Sequence, residues 1–236
     1  MNETAKDRLV DCLRSLVNRI DGITWPKNRD RFSDSEVYTD VGLVFREDFL
    51  KDVCRQIKPG CVVDIGCGDG AHALLLSGHA DMIVAVERDK IACEILKQDI
   101  ARTNIKNIIP FEIDLISLFH PLEIDNKSTF LRRINPEFVY GMALIHHLCI
   151  QDGLSMDQVA FLFSSLADDV VIEFVPEDDM KVCNMIQKGS RIGPDYSQKS
   201  CVAAFRKYYT SHSTFRIPDS DRSLLRFIRH ARRQDN

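Results

Sequence analysis

The stretch Val62-Val63-Asp64-Ile65-Gly66-Cys67-Gly68-Asp69-Gly70 carries the first chemistry in the chain. An apolar, β-branched run of this kind forms a buried parallel strand, and here it ends in an acidic residue. Gly66, Gly68 and Gly70 follow at alternate positions, and Ala71-His72-Ala73-Leu74-Leu75-Leu76 then reads as the start of a helix. Glycine has no Cβ and tolerates positive φ, so such a turn lets a ligand lie against the backbone. The helix behind it offers unpaired N–H groups and a positive dipole end to a carboxylate or phosphate. A dinucleotide fingerprint would be G-x-G-x-x-G, whereas the spacing here is G-x-G-x-G.

Two further carboxylates close apolar runs. Residues 81–86 lead to Glu87, where a carboxylate can accept both hydroxyls of a ribose, with Asp89 as an alternative two residues on. Residues 108–113 lead to Asp114. Taken singly, each of these is as well explained as a solvated strand end or a helix cap. Three in order, each closing a strand, point to one ligand site. Over about residues 58–175 this pattern resembles the class I S-adenosylmethionine-dependent methyltransferase family, whose motif I is the glycine turn after an acidic strand end. The resemblance implies S-adenosyl-L-methionine as cofactor and S-adenosyl-L-homocysteine as product. It places Asp64 and the backbone of Gly66, Cys67, Gly68 and Gly70 at the methionine moiety and Glu87 at the ribose. Asp114 then takes the adenine amino group, and the N–H of Leu115 faces the ring. Residues 25–38 are the expected lid. Trp25, Phe32 or Tyr38 would stack on the substrate or the methionine part, and Arg46 would pair with the cofactor carboxylate.

The reacting methyl group should face the end of the fourth strand, where Ala143-Leu144-Ile145-His146-His147-Leu148 stands. Methyl transfer needs in-line alignment and often a base for the acceptor. Histidine, with an unperturbed pKa of about 6.5, can take a proton near neutral pH. His146 and His147 are therefore candidate bases, or one of them only shapes the pocket. Glu173, at the end of the fifth strand, is a third candidate, to assist a histidine or to hold the substrate. Three family signatures are missing at the fourth strand: the Pro-Pro-aromatic loop of many N-methyltransferases, the Asp of ribose-hydroxyl enzymes and a magnesium-binding Asp. That leaves a metal-independent O- or N-methyltransferase acting on a small molecule, with methylation of a hydroxyl on a small molecule or sugar as the leading expectation. The alternatives are an N- or RNA methyltransferase and a catalytically silent, methyltransferase-like binding protein. Short pieces at residues 144–148, 172–178 and 194–197 also resemble a narrower group related to the rhizobial nodulation protein NoeA, with glycan or secondary-metabolite associations.

These side chains require an α/β framework. Strands and helices alternate from residue 58, which predicts a Rossmann-like seven-stranded sheet with helices on both faces, ending in an antiparallel pair. Expected elements include a helix over about 42–57, a fourth strand over 138–144, a helix over about 155–167 and another opened by Pro176. The late strands are expected at about 208–215 and 223–228. Leu9, Val10, Leu13, Leu16, Val17 and Ile20 recur at helical spacing, so residues 3–20 are expected to form an amphipathic helix able to meet a partner or a second copy. The expected division is a helical extension and lid over 1–57 and a core domain over 58–236. At 236 residues, 44% of them apolar, the chain suits one decorated domain with no membrane span. Eight cysteines without a C-x-x-C pair suggest reduced thiols and a cytoplasmic setting. A net charge of −4 makes a nucleic-acid partner unexpected. The exception is the cluster of Arg222, Arg226, Arg229, Arg232 and Arg233 with His230, read either as a phosphate-binding patch or as a charged edge strand with a tail.

Overall fold

The computed structural model describes residues 38–116, 133–190, 193 and 195–229. The expected helix over 3–20, the lid apart from Tyr38, and His230, Arg232 and Arg233 lie outside them.

Period-two alternation assigns each strand residue to one face of the sheet. In β1 (Cys61–Ile65), Val63 and Ile65 join one core cluster and Val62 joins the other, with all five residues buried. The same parity runs through β2 (Met82–Glu87), β4 (Phe138–Gly141), β5 (Asp169–Phe174) and β7 (Ser223–Ile228). A strand covered on both sides can be largely apolar, and these are, with Asp64, Glu87, Asp169, Glu173, Ser223 and Arg226 as the polar exceptions. With β3 (Ile108–Glu112) and β6 (Ser211–Arg216) they form one sheet among the described residues, in the order β3-β2-β1-β4-β5-β7-β6. The β1–β5 neighbours pair parallel, while β7 inserts antiparallel between β5 and β6.

Helices cover both faces. Leu50, Val53 and Cys54 of α1 (Asp40–Ile57), Ala73 and Leu76 of α2 (Ala71–Leu76) and Leu96 of α3 (Lys90–Thr103) pack on Val62, Ile83 and Phe138. Val159 and Phe163 of α4 (Met156–Ser164), Val182 of α5 (Met180–Gln187) and Phe205 of α6 (Gln198–Phe205) pack on the opposite side. Thus α1 shares its core with the sheet. No described helix is long and apolar enough to cross a membrane.

The structure corrects four expectations about the elements and the arginine cluster. The fourth strand stops at Gly141, because Ala143 turns into the left-handed region at φ 49° and the chain continues into a π-helical turn, His147–Gln151. Pro176 does not open the next helix. Its carbonyl accepts from Asp179 N–H in a turn, and Asp179 then caps α5 by accepting from Lys181 N–H. Tyr208 and Tyr209 are not strand but a tight exit from α6, their N–H groups bonded to the Phe205 carbonyl. The described arginines form neither a free patch nor an edge strand. Arg222 pairs with Glu173 and Asp179, Arg226 with Asp169 and Arg229 with Asp168, and the edge is β6. The helix α6 was not foreseen. Its sequence has little apolar periodicity, and its clearest signal is Ser197, whose hydroxyl accepts from Ser200 N–H. The described cysteines are all free.

Candidate active site

Strand β1 has β2 on one side and β4 on the other, so the winding of the sheet reverses there. In open α/β sheets a ligand lies beyond the carboxyl ends of the strands at such a point. A cavity of about 540 Å³ opens at this place.

Its first wall is the glycine turn. Gly66, Gly68 and Gly70 all have positive φ, at 72°, 56° and 82°. A Cβ on Gly66 would lie 2.7 Å from Leu144 Cδ1, and one on Gly70 2.3 Å from Leu96 Cδ1. Glycine is therefore needed twice over, for backbone conformation and for close packing. Gly66, Cys67 and Gly68 line the cavity, whereas Gly70 sits behind them, closing the turn onto the Cys67 carbonyl and starting α2.

Asp64 lies in the same wall, 2% exposed, and its Oδ2 is buried without a hydrogen-bond partner. Burial pushes its carboxyl up to about 8, the nearby Glu87 charge adding to the effect and the Tyr140 hydroxyl opposing it. A buried, unsatisfied carboxylate oxygen is costly unless a cationic or donor group meets it, and the α-ammonium of a methionine moiety is such a group. Cys67 carries a protonated thiol, since burial followed by the charges of Asp64 and Glu87 raises it well above the usual range.

The second wall holds Glu87. Its Oε2 accepts from Gly68 N–H at 2.9 Å, and its Oε1 accepts from Arg88 and Asp89 N–H at 2.8 and 3.0 Å. Three backbone donors thus fix the carboxylate at the end of β2. The alternative, Asp89, caps α3 through the N–H groups of Ile91 and Ala92. Asp114 and Leu115 follow β3 in the same cavity, where Asp114 Oδ1 accepts from Ile116 N–H at 3.0 Å. Arg88 donates to both oxygens of Asp152 at 2.8 and 2.9 Å, joining the β2 end to the π-helical turn at the rim.

The far side is built by the residues after β4 and β5. His146 and His147 both line the cavity, with ring centroids 4.3 Å apart. His146 is 2% exposed and its Nδ1 has no partner. Burial, then the charges of His147, Arg222 and Lys181, hold its imidazole well below the usual histidine range. The His147 imidazole is lowered too, chiefly by burial, with the hydrogen bond to Gln151 Oε1 at 3.1 Å opposing and Arg88 adding to the drop. Both rings are therefore neutral near pH 7 and able to accept a proton. Their surroundings differ. His147 feels the charges of Arg88, Asp152 and Glu87, whereas His146 feels those of Arg222 and Lys181.

Glu173 and Tyr38 do not reach the cavity, contrary to expectation. Parity puts Glu173 on the α1 face of β5, fully buried. Arg46 Nε and Nη2 approach its Oε2 at 3.0 and 2.9 Å, and Arg222 Nη1 donates to Oε1 at 3.2 Å. The Tyr38 hydroxyl donates to the same carboxylate and accepts from Arg222, and both guanidiniums lie against its ring, 4.1 and 4.9 Å from the centroid. Arg46 and Arg222 line the cavity as members of this cluster. Sequence reasoning missed Lys181 and the Arg88–Asp152 pair, neither of which belongs to a motif. Arg222 was noticed only as part of a charge run. Among the described residues, no three His, Cys, Asp or Glu side chains are grouped to hold a metal ion.

Comparison with known proteins finds the following likenesses. Residues 30–132 match the family model described as tellurite resistance protein TehB. The nodulation protein NoeA of Rhizobium meliloti (strain 1021) is 25% identical over 202 residues, covering 84% of this chain and 42% of NoeA. The chain thus spans under half of that relative's length. Among solved structures, the N-methyltransferase NodS from Bradyrhizobium japonicum WM9 superposes with a TM-score of 0.58 at 12% identity, over 84% of this chain and 100% of NodS. The bifunctional kinase-methyltransferase WbdD superposes at 0.55 and 17% identity, over 92% of this chain and 46% of WbdD. At these identities the likeness is one of fold.

Proposed function

We propose that this chain, a member of the class I S-adenosylmethionine-dependent methyltransferases, methylates a hydroxyl on a small molecule or sugar, with His146 as the base. The observation that carries the reading is the meeting, in one cavity, of three strand-end carboxylates with a pair of neutral imidazoles. Asp64 would meet the ammonium of S-adenosylmethionine, Glu87 its ribose hydroxyls, and Asp114 with the Leu115 backbone its adenine. When bound, that cofactor supplies a methyl group already activated by a sulfonium centre. What the chain must add is alignment and a place for the acceptor proton.

His146 suits the second task better than His147. Its buried Nδ1 has no hydrogen-bond partner, which leaves it uncommitted, and the cations it feels are Arg222 and Lys181. The ring of His147 is already engaged by Gln151. Because burial keeps His146 neutral, it stays a proton acceptor down through pH 6.5 and loses that ability only in more acidic solution.

Transfer of labelled methyl from S-adenosylmethionine to a panel of hydroxylated compounds tests the reading, with calorimetry of S-adenosylhomocysteine binding beside it. Glu87→Ala should abolish homocysteine-product binding. His146→Ala should keep that affinity, lower kcat about 10²-fold or more, and remove the acidic limb of the pH–rate profile. Wild-type kcat in His146→Ala would end its assignment as base, and wild-type affinity in Glu87→Ala would end the assignment of the ribose site.

A further inference from the structure

The cavity is electrically polarised along its length. Asp64, Glu87 and Asp114 line the end made by β1, β2 and β3. The opposite corner, next to His146, is lined by Arg46, Arg222 and Lys181, and the carboxylates that balance it, Glu173 and Asp179, stand outside the lining. Arg46 and Arg222 are each 1% exposed. Glu173 holds both of them, and Asp179 grips Arg222 through Nε and Nη2 at 2.7 and 2.8 Å. Both guanidiniums are thus engaged by carboxylates. Lys181 differs from them. It stands in the first turn of α5, half-buried, and its ammonium makes no ion pair or hydrogen bond among the described residues. A cation without an ion pair among the described residues therefore lines the cavity beside His146, which feels its charge and keeps a buried nitrogen unsatisfied.

A neutral alcohol makes no use of such a charge, and an amine-bearing acceptor would be repelled by it. We propose that the acceptor carries a compact anion, a carboxylate or a phosphate, and that Lys181 is the residue that holds it. This rests on the reading of the cavity as a joint cofactor and acceptor site. An ammonium is a strongly hydrated point charge on a flexible stem, suited to reach a small anion without a fixed fork geometry. The two arginines, locked by their carboxylates, supply a rigid polar wall behind it.

The experiment uses the whole chain saturated with S-adenosylhomocysteine, so that the cofactor's own carboxylate is already placed. Inorganic phosphate and malonate are titrated at constant ionic strength, with glycerol as a neutral control, and binding is followed by calorimetry and thermal shift. Wild type should bind at least one of the anions saturably and glycerol not at all. Phosphate alone would point to a phosphorylated acceptor, malonate alone to a carboxylated one. Lys181→Ala should weaken anion binding about tenfold or more, equivalent to about 1.4 kcal/mol. Lys181→Arg should restore most of it, and homocysteine-product affinity should be equal in all three proteins. No saturable anion binding in wild type, or equal binding in Lys181→Ala, overturns the proposal. A loss of product affinity in Lys181→Ala also overturns it, because the lysine would then serve the cofactor carboxylate. Failure of wild type to bind S-adenosylhomocysteine strikes instead at the cofactor site itself.

Discussion

Asp64 is held where a charged carboxylate is least comfortable, and that discomfort has a measurable sign. Its folded pKa is raised to about 8, against about 3.9 in an unfolded chain. Between those values the folded protein keeps a proton that the unfolded chain has released, so this residue's contribution to stability falls as pH rises from about 4 to 8. Asp64→Asn has no charge to desolvate. The variant should melt above wild type at pH 8, with the gap closing toward pH 5 as wild type becomes protonated. A gap that does not change with pH would place the strain elsewhere. With the cofactor's ammonium against Asp64, as proposed, the same argument predicts that binding at pH 7 expels the proton. Calorimetry in two buffers of different ionisation enthalpy should show that release in wild type and lose it in Asp64→Asn.

At the scale of elements, the glycine turn fits together two helices that the sequence keeps apart. Gly70 opens α2 at φ 82°, and its missing side chain is the space taken by Leu96 of α3. Gly70→Ala adds left-handed strain of about 1–2 kcal/mol and overpacking of about 1–3 kcal/mol. Urea unfolding should show the loss with an unchanged m-value. Shortening the neighbour in the double variant Gly70→Ala, Leu96→Ala should recover the overpacking part relative to the sum of the single changes, leaving the backbone part. Purely additive effects would mean that the two side chains never compete. Elements of this kind were legible because a strand buried on both faces is a continuous apolar run with a polar residue at its end, as at Asp64, Glu87 and Asp114. The run Met142-Ala143-Leu144 was misleading for the same reason. It is apolar, yet it leaves the sheet through a left-handed Ala143, which no pattern of hydrophobicity marks. Helix α6 was invisible because its buried face rests on Cys201, Ala204 and Phe205, too sparse a stripe to stand out.

The whole molecule is tied together by Glu173, which the sequence could present only as one acidic residue among several at a strand end. Its partners come from positions 135, 127 and 49 residues away, at Tyr38, Arg46 and Arg222. Together they join the start of α1, the middle of α1, β5 and the approach to β7, and Asp179 adds the cap of α5. Such a cluster arises from sheet order and strand parity, which bring distant residues together only after folding. It also decides between two roles for the carboxylate. Glu173→Gln keeps the shape and removes the carboxylate charge that Arg46 and Arg222 share, while Asp179 and the Tyr38 hydroxyl still meet Arg222. Breaking a buried ion pair from one side costs about 3–5 kcal/mol, a large part of the about 5–15 kcal/mol that holds a typical domain together. The variant should therefore unfold at much lower urea than wild type, while turnover per folded molecule stays near that of wild type. A purely catalytic carboxylate would give the opposite pattern, full stability with little turnover. A wild-type urea midpoint in Glu173→Gln would return this residue to the chemistry and leave Arg46 and Arg222 needing another counter-charge.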